Sequence, residues 1–536
     1  MDLPDLPNDI FLLIISYLPS RDSVICRGVS RSWRAAFASD GTSWFLMRLH
    51  FPRCREMRQA SQDQVQTPDQ PPPPVSWPRI FLKVARRYTY LRGAKPRLIE
   101  KIEVVQEAKH KGLHRGVEPW NRWLRWNDTT AVFQYRDPTW CLDDGLLIYQ
   151  ENVSGSYVAY DLESRYRFPV PFDGTDRTVR RLRLACGVLV IEWCERESFH
   201  QLNDRETVHR HFATAFDVRR RQQSSSSPES AAAAPWNIEF RSEWKIHFLG
   251  LPLNRYDRFF SAHTATHYAL YLWQPDRSIW GEEEPLEQLT VWDISSPSLY
   301  RPSADPASLH KPATGEGGPA VVRRFGWREL EFLGIRQRHT PSLREVRLDA
   351  ANVYVHEEEH RWLAGQHSSL SPPRHHVVRC TGMPFAGYGP RWRDECCADG
   401  DVHLSFCPRA GSAARGPRER DRDVGRGNGD ADGDGGMWAP CWRHEEFPYL
   451  TVSDVVDARA GVRFVARQCF MMEALSAFVL PKISFEEEED GEGAEEQEVR
   501  FADDIWTQLM GKGHIAGDER WIVGEDAEGR VTIVRF

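Results

Sequence analysis

DIFLLIISYLP, Asp9 to Pro19, is apolar without interruption from Ile10 to Ile15. A membrane-crossing helix needs roughly 20 such residues, so this run is too short to span a bilayer. Read as a helix it is apolar nearly all round, whereas a helix packed on one side is apolar along one stripe. Ile10, Leu13, Ile14 and Tyr17 have the spacing of such a stripe. Phe11, Leu12 and Ile15 are then left over and need a second polypeptide to cover them. Pro7 suits the first turn, Asn8 and Asp9 suit the positive end of the helix dipole, and Pro19 stops the helix. Ser20 or Asp22 can cap a second helix with Val24, Ile25 and Val29 on its apolar side. Ser30 can cap a third, which carries Trp33, Ala36 and Phe37. Three helices in about 35 residues make a core too small to stand alone without a disulfide, a metal or a partner.

The 536 residues carry a formal net charge of -8 and are 41% hydrophobic, enough for a sizeable core. The mild acidity lacks the basic footprint of nucleic-acid binding, so no nucleic-acid partner is expected. No cleavable leader and no membrane span are read, and the expected location is cytoplasm, nucleus or both. Eleven cysteines without a framework spacing read as reduced thiols. Twenty tryptophans favour half-buried sheet surfaces.

Beyond about Asp128 the sequence turns to strands. GLLIYQE precedes SYVAYDLES, GVLVIEW precedes FATAFDV, and HYALYLW precedes EQLTVWDIS. In each pair the second strand closes in aromatic–Asp–aliphatic: Tyr160-Asp161-Leu162, Phe216-Asp217-Val218 and Trp292-Asp293-Ile294. Each Asp suits a strand end, where its carboxylate starts the turn. The repeated unit points to a β-propeller-like body, with two packed sheets as the alternative. The chain closes with ERWIVGEDAEGRVTIVRF, two strands joined by a turn at Gly529, and ring closure would follow if VTIVRF paired with an early strand. Pro71 to Pro74 read as an extended linker. Three further segments, at 222–235, 409–436 and 486–498, read as low-complexity loops inserted in the body. The expected fold class is therefore α+β and multidomain, with a helical module at 1–50, a tail and linker at 51–84 and a β-rich domain at 85–536.

The N-terminal stretch resembles an F-box, the adaptor-binding motif of ubiquitin-ligase receptor subunits. Leu6-Pro7 opens it, the Ile/Leu helix closes in Tyr17-Leu18-Pro19, Asp22 precedes the second helix, and Val29, Trp33 and Arg34 form the ending. Ser23 replaces the usual aliphatic residue, and Gly28 is read inside a helix at a cost of about 1 kcal/mol. The resemblance implies docking on a Skp-type adaptor and through it a cullin-RING ligase, with the downstream domain binding a protein substrate. Leu6, Pro7, Ile10, Phe11, Leu13, Ile14, Leu18, Pro19, Val29 and Trp33 then mark the module, by direct contact or by holding its core. Catalysis would be by proximity and the chain itself no enzyme. Two alternatives stay open: a scaffold that binds the adaptor without ligase work, and a propeller enzyme with a regulatory F-box.

No catalytic or cofactor motif appears, neither nucleophile elbow, phosphate loop nor dinucleotide turn. DADGDG at Asp430–Gly435 starts like a calcium loop, but Cys441 stands where its bidentate Glu belongs. His375, His376, Cys380, Cys396, Cys397, His403 and Cys407 lie close in sequence, but adjacent cysteines suit one tetrahedral metal poorly. No metal or cofactor is expected. The acidic run at 486–498 reads as a solvated loop.

Overall fold

The computed structural model describes residues 2–66, 76–105, 130–131, 138–203, 206–221, 235–252, 258–274, 285–305, 318–338, 342–362, 374–385, 392–396, 449–457, 460, 462–469, 479–485, 497–501, 505, 508–509, 514–526 and 528–536. The proline run, the calcium-like stretch, most of the three low-complexity segments and Cys397, His403 and Cys407 lie outside them. The described residues contain seven α-helices and six antiparallel sheets, none of which closes on itself. They fall into two compact units, one from Met1–Ile102 and Pro448–Phe536, the other within Glu103–Gly411.

The first unit opens with α1 (Asn8–Ser16), α2 (Ser20–Cys26), α3 (Arg31–Phe37) and α4 (Asp40–His50). Pro7 and Pro19 hold the N-cap positions of α1 and α2, so Ser20 is the first helical residue of α2 rather than its cap. Ser30 does cap α3, its Oγ accepting from the Trp33 N–H at 3.2 Å. Gly28 lies beyond α2, which ends at Cys26, and its N–H donates to the Ile25 carbonyl at 2.8 Å. The helix-interior cost expected for Gly28 therefore does not arise. α5 (Arg55–Gln66) and α6 (Trp77–Arg92) stand in the stretch read from sequence as tail, linker and the start of the β-rich domain.

A four-stranded sheet runs in the order 98–102, 531–535, 521–525, 515–518. The early strand Leu98–Ile102 is the outer neighbour of the last strand, with Glu100 opposite Ile533. Gly529, at φ 83°, makes the turn between strands 521–525 and 531–535, donating to the Asp526 carbonyl at 3.0 Å. Val531, Thr532, Ile533 and Val534 are all buried, as in a strand covered on both faces. A second sheet is a meander of 449–457, 462–469, 479–485 and 497–500. One apolar core joins the helices to these sheets: Phe11, Ile15, Phe37, Leu46, Phe81, Val84 and Leu91 share it with Val462, Phe464, Val534 and Phe536.

A buried polar cluster pins the same junction. The Glu519 carboxylate accepts from the Arg55 backbone N–H at 2.8 Å and from the Tyr88 hydroxyl, with Arg87 at 3.4 Å. Arg87 also donates twice to Glu56, at 3.0 and 2.8 Å. Burial works against the Arg87 charge, but Glu519 and Glu56 more than offset it and hold its pKa above the ordinary value.

The second unit holds four sheets: 140–143/146–150/157–161/166–169; 177–185/188–195/206–220/236–252, with 200–203 beside 206–220; 258–263/267–274/286–293/320–325; and 343–348/352–362/374–384/392–396, with 130–131 beside 352–362. α7 (Trp327–Leu333) follows the third. Period-two alternation sends neighbouring side chains to different cores. Leu189, Ile191 and Trp193 pack toward the first sheet, while Val188 and Val190 pack toward the third. Tyr268, Leu270 and Leu272 join the core shared with the second sheet, and Ala269, Tyr271 and Trp273 the core shared with the fourth. Each sheet thus packs face to face on its successor.

The aromatic–Asp–aliphatic repeat has a structural meaning. Asp161, Asp217 and Asp293 stand opposite the first residue of a strand they pair with, namely Leu146, Val188 and His267. The following aliphatic residue donates its N–H to the carbonyl just before that strand: Leu162 to Gly145, Val218 to Gly187 and Ile294 to Thr266, at 2.7–2.9 Å. Phe385 to Ala351 in the fourth sheet repeats the bond without the Asp, as does Phe536 to Arg520 within the first unit. Asp161 and Asp293 accept from Ser164 and Ser295 in the ensuing turns. Asp217 instead lies inside its strand and pairs with Arg241 at 3.2 Å. Asp161 reaches further, accepting from Trp236 Nε1 at 3.1 Å on the next sheet.

Candidate protein-docking surface

On α1 the expected inward and outward faces are exchanged. Phe11 and Ile15 are the buried residues, at 4% and 0% exposure. Phe11 meets Phe37 edge-on with ring centroids 5.3 Å apart. Leu12 is half-buried against the same core. The stripe expected to face the core points outward: Ile10 46%, Leu13 57%, Ile14 39% and Tyr17 82% exposed. The assignment of Phe11, Leu12 and Ile15 to a second polypeptide is therefore corrected. A helix apolar all round can bury either face, and the two phenylalanines offer the larger aromatic contact to α3.

α2 is turned in the same sense. Ile25 and Val29, expected inside, are 58% and 61% exposed, and Ser23 is buried in their place. Arg27 sets the rotation: its Nη1 donates to the Pro78 carbonyl at 3.0 Å, its Nη2 to Ser43 Oγ at 3.3 Å, and its guanidinium lies 5.3 Å from the Phe81 ring centroid. The Ser23 hydroxyl has no hydrogen-bond partner among the described residues.

Of the remaining marker residues, Leu6 and Leu18 are half-buried against the core, while Pro7 and Pro19 are exposed at the helix starts. Trp33 is half-buried and stacks on Phe37 at 5.6 Å. Phe11 and Trp33 thus support the module from within. Ile10, Leu13, Ile14 and Val29 are displayed. Tyr17 and Ile25 belong with the displayed set; the sequence put both on apolar faces expected to turn inward and counted neither among the marker residues. At the end of α4, burial and the neighbouring Arg92 push His50 down to about 4, so its ring is neutral near pH 7.

Elsewhere the polar clusters hold elements together. Glu287 accepts from the Tyr271 hydroxyl at 2.5 Å and from the Gln337 and Arg338 backbone N–H groups at 2.6 and 2.7 Å, pinning the segment after α7 to the third sheet. Cys380 Sγ lies 3.6 Å from His356 Nε2, opposite it across the fourth sheet. Among the described residues no group of three or more His, Cys, Asp or Glu is placed to hold a metal ion, and no helix is long and apolar enough to cross a membrane.

The helical module thus displays an apolar stripe on one side and anchors its opposite face in the core it shares with the terminal strands. Residues 3–50 match the F-box-like family, so the chain carries an F-box-like domain at its N-terminal end, followed by antiparallel β-sheets. Comparison with curated proteins finds no match. F-box domains are adaptor-binding modules of Skp–cullin–F-box ligases, and proteins that carry them are generally non-catalytic.

Proposed function

We propose that this chain is the substrate-receptor subunit of a Skp–cullin–F-box ubiquitin ligase, acting in the cytoplasm or nucleus. The carrying observation is the exposed stripe Ile10, Leu13, Ile14 and Tyr17 on a domain of the F-box-like family. Exposed apolar groups this close together on one helix face are typical of protein contact sites. The adaptor covers them, together with Ile25 and Val29. The β-sheets bind a protein substrate and hold its lysines near the charged conjugating enzyme, which raises their effective concentration. We also propose that the four sheets of the second unit are blades of a propeller-like stack. Supporting this are the repeated turn bond and the stacking of successive sheets within the second unit.

The test is capture of a purified Skp-type adaptor by the full chain and by its Leu13→Asp/Ile14→Asp variant. Both side chains are exposed, so the variant keeps its core and its melting curve. We expect adaptor binding by the parent and at least tenfold weaker binding by the variant, since each buried apolar side chain is worth about 1.5–3 kcal/mol. Equal affinities overturn the docking assignment.

A further inference from the structure

The docking surface leaves unused the histidines and cysteines that lie close in sequence from His375 onward. The fourth sheet sorts those it contains. Residues directly opposite in an antiparallel sheet share a face with Cβ atoms about 5 Å apart, and diagonal neighbours lie about 7–8 Å apart. His356 of strand 352–362 stands opposite Cys380 of strand 374–384, and Cys380 stands opposite Asp394 of strand 392–396. One row across three strands therefore carries His356, Cys380 and Asp394. Cys396, two residues beyond Asp394, falls on the same face and diagonal to Cys380. By alternation this face is turned away from the core to which Val353 and Val355 belong.

The other candidates on the sheet fit less well. His375 is opposite Arg361 and falls on the other face. His360 and His376 share the face, but four residues along their strands, about 13 Å from the row. Glu345, opposite His356, is paired with Arg347 at 2.6 Å, and the Tyr354 hydroxyl donates to Asp349 at 2.5 Å. Glu358 and Cys396 flank Val378 from either side, and Cys396 offers the softer donor.

The spacing of His356 and Cys380 matches one ligand chemistry. Cys380 Sγ lies 3.6 Å from His356 Nε2, and both residues are half-buried. Zinc holds a thiolate sulfur at about 2.3 Å and an imidazole nitrogen at about 2.0–2.1 Å, so two such ligands at the tetrahedral angle stand about 3.6 Å apart.

We propose that His356, Cys380, Asp394 and Cys396 bind a zinc ion on this face, Asp394 and Cys396 being placed by strand register alone. The ion ties the edge strand 392–396 to its two neighbours as a closed structural site. The expectation of no metal rested on Cys396 and Cys397 being adjacent, and the register supplies a set that uses Cys396 without Cys397. Each thiol passes its proton to solvent as the ion binds. The site is independent of the adaptor-docking reading.

The experiment loads the reduced full chain with zinc, removes excess by gel filtration and measures retained metal. Cobalt(II) at saturation then replaces zinc, because its thiolate charge-transfer absorption reports the number of sulfur ligands. The parent is compared with His356→Ala, Cys380→Ser, Cys396→Ser and the control Cys397→Ser. We expect about one zinc ion retained per parent and per Cys397→Ser chain, and loss of zinc in the other three. Thiolate–cobalt absorption should fall to about half in Cys380→Ser and in Cys396→Ser, and rise by about half in His356→Cys, which supplies a third sulfur. That gain of signal tests the site even where a loss variant folds poorly. Zinc should also raise the melting temperature of the parent but not of Cys380→Ser. A parent that retains no zinc and shows no thiolate–cobalt absorption overturns the site and leaves Cys380 and His356 as a hydrogen-bonded pair. Full zinc retention and parent-like absorption in Cys380→Ser put the metal on other cysteines and equally overturn it.

Discussion

Ser23 is the residue at which the helical module is most visibly imperfect. Its hydroxyl is buried and without a hydrogen-bond partner among the described residues, at a position where the F-box pattern has an aliphatic side chain. A buried unpaired hydroxyl costs about 1–3 kcal/mol. Ser23→Ala removes that cost at the expense of one small atom, and we expect it to stabilise the first unit by about 1 kcal/mol in a urea titration. Destabilisation would mean that the hydroxyl has a partner the present geometry lacks. The buried histidines make a second prediction at this scale. Burial lowers His247 and His263 from an ordinary 6.5 to about 4, and drives His211 down as well. These rings are neutral when folded and take up protons more readily when unfolded. Their contribution is therefore complete above about pH 6.5 and is lost as the pH falls toward 4. The slope is up to about 1.4 kcal/mol per pH unit for each fully buried ring. Melting temperature should fall steeply between pH 6.5 and 4.5, and His263→Gln should flatten that fall; an unchanged pH profile in this variant counts against the assignment.

Among the elements, the final strand and α6 do most to hold the first unit together. Strand 531–535 lies between 521–525 and 98–102, and strand 98–102 has no other neighbour in its sheet. A chain ending at Gly529 loses four buried side chains from the sheet's interior and exposes unpaired backbone on two strands. We expect that chain to aggregate or to melt without a sharp transition, whereas shortening the low-complexity segments at 222–235, 409–436 and 486–498 leaves cooperative melting, because loop closure depends weakly on length. A truncated chain that melts as sharply as the parent would show that strand 98–102 is held by something other than its partner. α6 has a different task. It presents Phe81, Val84 and Leu91 to the shared core, the Tyr88 hydroxyl as a donor to Glu519 and the Arg87 guanidinium as its ion-pair partner, so the helical module is seated on the terminal sheet through both apolar and ionic contacts.

For the molecule as a whole, the F-box-like domain is continuous with a core reached from the far end of the chain. Phe11, Ile15, Phe37 and Leu46 share one cluster with Val534 and Phe536. A fragment of residues 1–60 lacks those partners and α6, and we expect it to show helical far-UV signal without a cooperative thermal transition; a sharp transition would mean that the small core suffices. The same long-range contact separates what could be read locally from what could not. The three N-terminal helices and the Ser30 cap were legible locally, through proline, serine and the apolar run. So were the paired strands with their aromatic–Asp–aliphatic ends and the turn at Gly529, all of which depend on neighbours in sequence. The F-box-like domain was legible for the same reason, because that pattern is a local spacing of residue types. Tertiary structure alone decided which face of α1 turns inward. Ile10 to Ile15 are apolar on every side, and the choice falls to Phe37 and the core that α6 and the terminal strand complete. It likewise decided that Ser23 and not Ile25 is buried, because Arg27 is drawn to Pro78 and Phe81, some fifty residues away in the chain. The pairing of Leu98–Ile102 with Val531–Arg535 was beyond local reading for the same physical reason: strand partners are chosen by register and packing between segments more than 400 residues apart, and no window of sequence contains both.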